Sequence, residues 1–82
     1  MTYPKVRSTL VPKMLESDAD LFTAALSQTP VSVWQTDADG VYREVDRGII
    51  EKFTNKSVRL STRTDEIAYY FRDDGTKFRA ET

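Results

Sequence analysis

Between Ile67 and Ala80 the chain reads as two strands closed by a tight turn, and this stretch restricts the fold more than any other. Ile67, Tyr69 and Phe71 alternate with Ala68, Tyr70 and Arg72, the period of two expected of a strand. Asp74-Gly75 is a two-residue turn signal, because a type I′ turn needs positive φ at both central residues. Closing the loop there faces Phe71 with Phe78, Arg72 with Lys77 and Tyr70 with Arg79. Ile67, Tyr69, Phe71, Phe78 and Ala80 then share the expected core face, so that Phe71→Ala should be severely destabilising. The opposite face carries Tyr70, Arg72, Lys77 and Arg79. A slip of one residue would exchange the two faces, so the register should be strongly specified. Facing Arg72 with Lys77 costs roughly 0.2–1 kcal/mol, a cost that Asp73, Asp74, Glu81 or an anionic partner would offset.

Upstream, the pattern predicts one helix followed by more strands. Pro4 and Pro12 frame Lys5–Val11, so residues 1–12 read as an extended arm, with Tyr3, Val6, Leu10 and Val11 apolar enough to dock. The helix is placed at 13–28. One start is Ser17 with Asp20, an approximate capping box in which Asp replaces the preferred Glu or Gln. The other start is Pro12, tolerated in a first turn. Leu21, Phe22, Ala25 and Leu26 form its apolar stripe, and the helix ends near Gln28, before Thr29-Pro30. At about three turns it needs a sheet to pack on.

Residues 31–80 read as an antiparallel meander. Val31–Trp34 and Val41–Val45 flank the Thr36–Gly40 turn, with Trp34 facing either Val45 or Tyr42 according to loop length. Ile49–Phe53 and Val58–Leu60 flank Asn55-Lys56, which pairs Phe53 with Val58 and Lys52 with Arg59. Gly48 marks a bend. The expected fold is α+β: a single domain with one N-terminal helix on a small, strongly curved antiparallel sheet of about five strands. The Gly48-Ile49-Ile50, Phe53 and Val58-Arg59-Leu60 spacing, followed by an aromatic hairpin, resembles small SH3-like barrels over residues 41–80. That resemblance is one of pattern and implies a barrel without assigning functional residues.

Composition narrows the chemistry. The 82 residues contain neither histidine nor cysteine, which removes the commonest general base, Ser-His triads, thiolate nucleophiles and the usual zinc sites. Asp37-Ala38-Asp39-Gly40 departs from a calcium loop: aligning Gly40 with the motif glycine places Gln35 first and Asp46 last, where Asp and Glu are needed. The carboxylate pairs Asp65-Glu66 and Asp73-Asp74 lie in turns, where Asp is common for conformational reasons. Ser57, Ser61, Thr62 and Thr64 have no base to activate them, and no glycine-rich phosphate loop is present. The reading is therefore a non-enzyme with no cofactor and no metal.

Charge is balanced overall at −1 but unevenly placed. Residues 1–15 carry only bases, 16–40 only acids, and 41–82 both. No signal peptide or long apolar run is read, so the expectation is a soluble, cytoplasmic chain with no membrane partner. The candidate binding residues are Tyr70, Arg72, Lys77, Arg79, Lys52 and Arg59, a basic outer face with one aromatic. Tyr and Arg dominate protein interface hot spots, so the first functional reading is a small regulatory or adaptor protein, of the size of bacterial and phage inhibitors, that binds another protein. The alternative is nucleic-acid binding by the same face, charge for phosphate and a ring for stacking. An exposed sheet edge admits either a monomer or a homodimer.

Overall fold

The computed structural model describes residues 13–81. The arm expected at 1–12 lies outside them. In chain order the elements are β1 (Lys13–Leu15), α1 (Asp18–Ser27), β2 (Val31–Thr36), β3 (Tyr42–Phe53), β4 (Ser57–Thr62), β5 (Ile67–Phe71) and β6 (Thr76–Ala80). The architecture is α+β, with one helix and one open antiparallel sheet in the order β1-β6-β2-β3-β4-β5 among the described residues. The sheet has six strands rather than about five, because Lys13–Leu15 pairs with β6 instead of opening the helix.

The helix follows the Ser17 start. Ser17 Oγ accepts from the Asp20 backbone N–H at 3.1 Å, and Asp20 Oδ2 accepts from the N–H groups of Ser17 and Glu16 at 3.2 and 3.0 Å. That reciprocal box satisfies donors the first turn cannot. These bonds, led by the one from Glu16, hold the Asp20 carboxyl down at about 2. At the other end Gln28 adopts a left-handed φ of 53°, and the N–H of Thr29 reaches Ala24 O at 3.0 Å while that of Gln28 reaches Ala25 O at 3.2 Å. This is a Schellman closure made without glycine, just before Pro30. Leu21 and Ala24 are buried and Ala25 packs beside them, whereas Phe22 and Leu26 of the expected stripe stay exposed.

The middle strands follow the turn chemistry. Phe53 faces Val58 and Lys52 faces Arg59, as the Asn55-Lys56 turn requires. Trp34 faces Glu44 rather than Val45 or Tyr42, because a register shift falls between Val33 and Trp34. A Cβ on Gly48 would fall inside contact distance of the Ser61 carbonyl, with Ser61 C at 3.0 Å and Thr62 Cα at 3.1 Å. Only glycine lets β3 and β4 approach this closely.

The closing hairpin is not formed. Neither Asp74 nor Gly75 has the positive φ of a type I′ turn. Among the described residues β5 pairs only with β4, and β6 inserts between β1 and β2. The meander therefore ends at β5, and residues 72–75 carry the chain to the other side of the sheet. Four strand spacings separate β5 from β6, about 19 Å in a flat sheet. The five Cα steps from Phe71 to Thr76 reach at most about 18 Å when fully extended. They are not extended, since Thr76 N–H returns to Asp73 O at 3.2 Å. The sheet must curl, and the register shifts in β2–β3 and β3–β4, with the close approach at Gly48, are features that bend a strand. Leu15, Val31, Val33, Ile50, Val58, Leu60, Phe78 and Ala80 fill the concave side with Leu21 and Ala24 of α1.

The faces of β5 are inverted relative to expectation. Phe78 is 4% exposed and core, but Phe71 is 71% exposed, Tyr69 66% and Ile67 44%. Tyr70 instead packs against the core and donates its hydroxyl hydrogen to Asp46 Oδ2 at 2.6 Å, tying β5 to β3. The prediction for Phe71→Ala fails with that inversion.

Candidate functional site

The six candidate residues do not form one face. Tyr70 is turned toward the core. Arg72 sits at the helix end of the sheet, with its guanidinium on Asp18 at 2.8 Å and on Thr54 O at 2.6 Å. Lys77 and Arg79 lie on β6 opposite Trp34 and Ser32. Lys52 and Arg59 lie on β3 and β4, and Arg59 is opposite Tyr69 on β5. The residues thus fall into two groups on the sheet's outer side, with two members removed.

The first group surrounds Trp34. The Arg79 guanidinium stacks 4.8 Å from the Trp34 ring and is held by Glu81, Nε to Oε2, at 2.7 Å. Ser32, fully buried, accepts from Trp34 Nε1 at 2.8 Å and donates to Glu81 Oε2 at 2.5 Å. Arg79 first, and Ser32 after it, hold the Glu81 carboxyl below its usual range. Met14, Trp34, Tyr42, Lys77 and Arg79 line a shallow groove of about 290 Å³. Tyr42 is fixed there by a 3.0 Å bond from its hydroxyl to Asp74 O.

The second group borders the β5 edge through Arg59, which faces Tyr69. Arg72 N–H donates to Lys56 O at 2.7 Å and Thr62 N–H to Glu66 O at 2.8 Å. In an antiparallel ladder alternate residues exchange both bonds with the same neighbour. Glu66, Ala68, Tyr70 and Arg72 therefore bond to β4, and Ile67, Tyr69 and Phe71 direct their N–H and C=O groups to the free edge. Those same three residues carry the exposed apolar side chains. Among the described residues no other strand pairs with this edge. At the opposite edge, β6 presents Phe78 and Ala80 to Leu15 and Lys13, which leaves only Met14 of β1 facing outward. Beside the β5 row, the Arg59 guanidinium lies 5.9 Å from the Tyr69 ring. Its Nε is 3.2 Å from Glu51 Oε1 but off the hydrogen-bond line, so this buried N–H has no partner among the described residues.

Most arginines are already neutralised. Arg43, Arg47, Arg59, Arg72 and Arg79 each lie within 3.2 Å of a carboxylate oxygen. Arg47 grips Glu44 through both Nε and Nη2 at 3.0 Å, which holds the Glu44 carboxyl low. Asp37 serves its own turn: Oδ1 accepts from Asp39 and Val41 N–H at 2.9 and 3.1 Å, and these bonds, Val41 first, lower its pKa.

Reading the sequence missed the exposure of Ile67, Tyr69 and Phe71. No signal in the sequence revealed it: an edge strand normally carries charge as protection, and the absence of any charge between Ile67 and Phe71 reads instead as a covered strand. Among the described residues no helix is long and apolar enough to cross a membrane. No family model, no curated protein and no solved structure matches the chain.

Proposed function

We propose that this protein acts by binding another protein, as a non-enzymatic regulator or adaptor, and that the β5 edge is the contact surface. The observation that carries the reading is the coincidence on Ile67, Tyr69 and Phe71 of unpaired backbone groups and exposed apolar side chains. A partner strand laid there gains main-chain bonds, and side-chain contacts give selectivity. We read the curled sheet as an incompletely closed SH3-like barrel, supported by the short 72–75 link and the bend at Gly48.

The test is affinity capture from extract with parent and Tyr69→Asp baits, each with and without nuclease. The reading expects a nuclease-resistant partner that Tyr69→Asp loses. Capture that survives Tyr69→Asp would remove the edge from consideration.

Nucleic-acid binding is the second reading, favoured by the groove where Trp34 lies beside Lys77 and Arg79. The carboxylates already on five arginines weigh against it, since a phosphate would have to displace them. It expects affinity for short single strands that falls steeply with salt, measured by anisotropy.

A further inference from the structure

We infer that the strand taken up by the β5 edge is β5 of a second copy of this chain, in one antiparallel register centred on Tyr69. The inference rests on the reading of that edge as a binding surface and names its occupant.

The ladder restricts the choices first. Only Ile67, Tyr69 and Phe71 present both backbone groups outward, so an antiparallel copy must set odd residues against odd ones. Centring on Tyr69 sets Tyr69 against its own copy and Ile67 against Phe71 on both sides of the two-fold axis. That gives three hydrogen-bonded pairs, each exchanging two bonds, and every outer-face contact is apolar with apolar. The same register sets Glu66 opposite Arg72, acid with base, at both ends, and one step farther from the strand Asp65 opposite Asp73, acid with acid. Arg72 already touches Asp18, so Glu66 of the second copy joins an existing ion pair.

The neighbouring registers are worse. Sliding two residues one way sets Phe71 against Asp65, and sliding two the other way sets Ile67 against Asp73 and Glu66 against Asp74. A two-fold contact requires a self-complementary patch, and this is the one register that faces apolar with apolar at every outward position of Ile67–Phe71.

Area sets the strength. Aromatic side chains bury about 150–250 Å² each. At the observed exposures the row offers on the order of 350 Å² per copy. Two copies fall short of the roughly 1,200 Å² at which stable interfaces begin. The dimer is therefore weak and concentration-dependent.

Sedimentation equilibrium of the full chain from about 10 µM to about 1 mM covers the range expected of so small an interface. The parent mass should climb from monomer toward dimer. Tyr69→Pro removes one outward N–H and no bond to β4, an edge position where proline is tolerated, so the fold should survive by near-ultraviolet circular dichroism while the dimer weakens at least tenfold. Tyr69→Thr keeps the N–H and removes the ring, and should weaken it less. Glu66→Lys should weaken it several-fold, more at low salt. A parent that stays monomeric to the top of the range overturns the inference, as does a Tyr69→Pro dimer as strong as the parent's. A Glu66→Lys dimer of unchanged strength overturns the register. If the parent is monomeric but Tyr69→Asp still abolishes partner capture, only the second copy is lost and the edge stands. If capture also survives, both readings fall.

Discussion

Tyr70 donates to Asp46 Oδ2 at 2.6 Å from a half-buried position, and partial burial, then that bond, push its pKa up to about 12. The folded state thus favours the protonated phenol more than the unfolded chain does, whose tyrosine titrates near 10. Its contribution is complete below pH 10 and is lost as pH rises toward 12. Urea midpoints measured from pH 8 to 11.5 should fall across that window, and Tyr70→Phe should flatten the decline while costing about 1.5–3 kcal/mol for the lost bond to a charged acceptor. Two phenylalanines supply a second contrast. Phe78 is core, so Phe78→Ala should cost about 3–5 kcal/mol. Phe71 is mostly solvated, and Phe71→Ala should stay within about 0.5 kcal/mol. Equal losses in chemical melts of the two variants would mean that β5 faces the other way.

At the scale of elements, the helix and the bend each rest on one local device. Ser17→Ala should cost about 0.5–2 kcal/mol. The depressed Asp20 pKa works in the acid direction: its contribution is present above the unfolded value near 4 and is lost as pH falls toward 2. An acid titration followed by circular dichroism should therefore show Asp20→Asn flattening the loss between pH 4 and 2. Gly48→Ala forces a Cβ into the β4 backbone and should cost about 1–3 kcal/mol, the range for overpacking. These features were legible because their causes are local: a cap is written in Ser17 and Asp20, a turn in Asn55-Lys56, a bend in Gly48. The identity of β6's neighbours is not local. Asp74-Gly75 carries the chemistry of a hairpin turn, yet β2 and β1 outcompete β5 for β6, a choice made by contacts 41 or more residues away in sequence. The candidate site inherited that error. Ile67, Ala68, Tyr69, Tyr70 and Phe71 are apolar on both faces, so alternation alone does not say which face turns inward, and Asp46, which receives the Tyr70 hydroxyl, lies two strands away.

Across the whole molecule, β6 joins the ends of the chain. Among the described residues it alone pairs with β1, it holds β2 along five residue pairs, and it contributes Phe78 and Ala80 to the core. Its partners lie far away in sequence, whereas β2 to β5 pair with neighbours. The meander β2–β5 can form its ladders early, but its concave side stays open until the last strand arrives. Folding dominated by non-local pairing is slow, in the millisecond-to-second range, because loop-closure entropy is spent before the contacts form. Stopped-flow refolding followed by Trp34 fluorescence should therefore be slow, since Trp34 faces Lys77 of β6 and stacks with Arg79. Phe78→Leu should slow refolding if β6 docks in the transition state, and should instead raise the unfolding rate if β6 docks after it. The sharper test removes the strand. A chain ending at Gly75 loses both ladders of β6 and two core side chains, more than the ~5–15 kcal/mol that holds a typical domain can absorb. It should show no cooperative melt, and adding residues 76–82 as a separate peptide should restore one. A cooperative melt of the shortened chain alone would mean that the meander folds without its C-terminal strand.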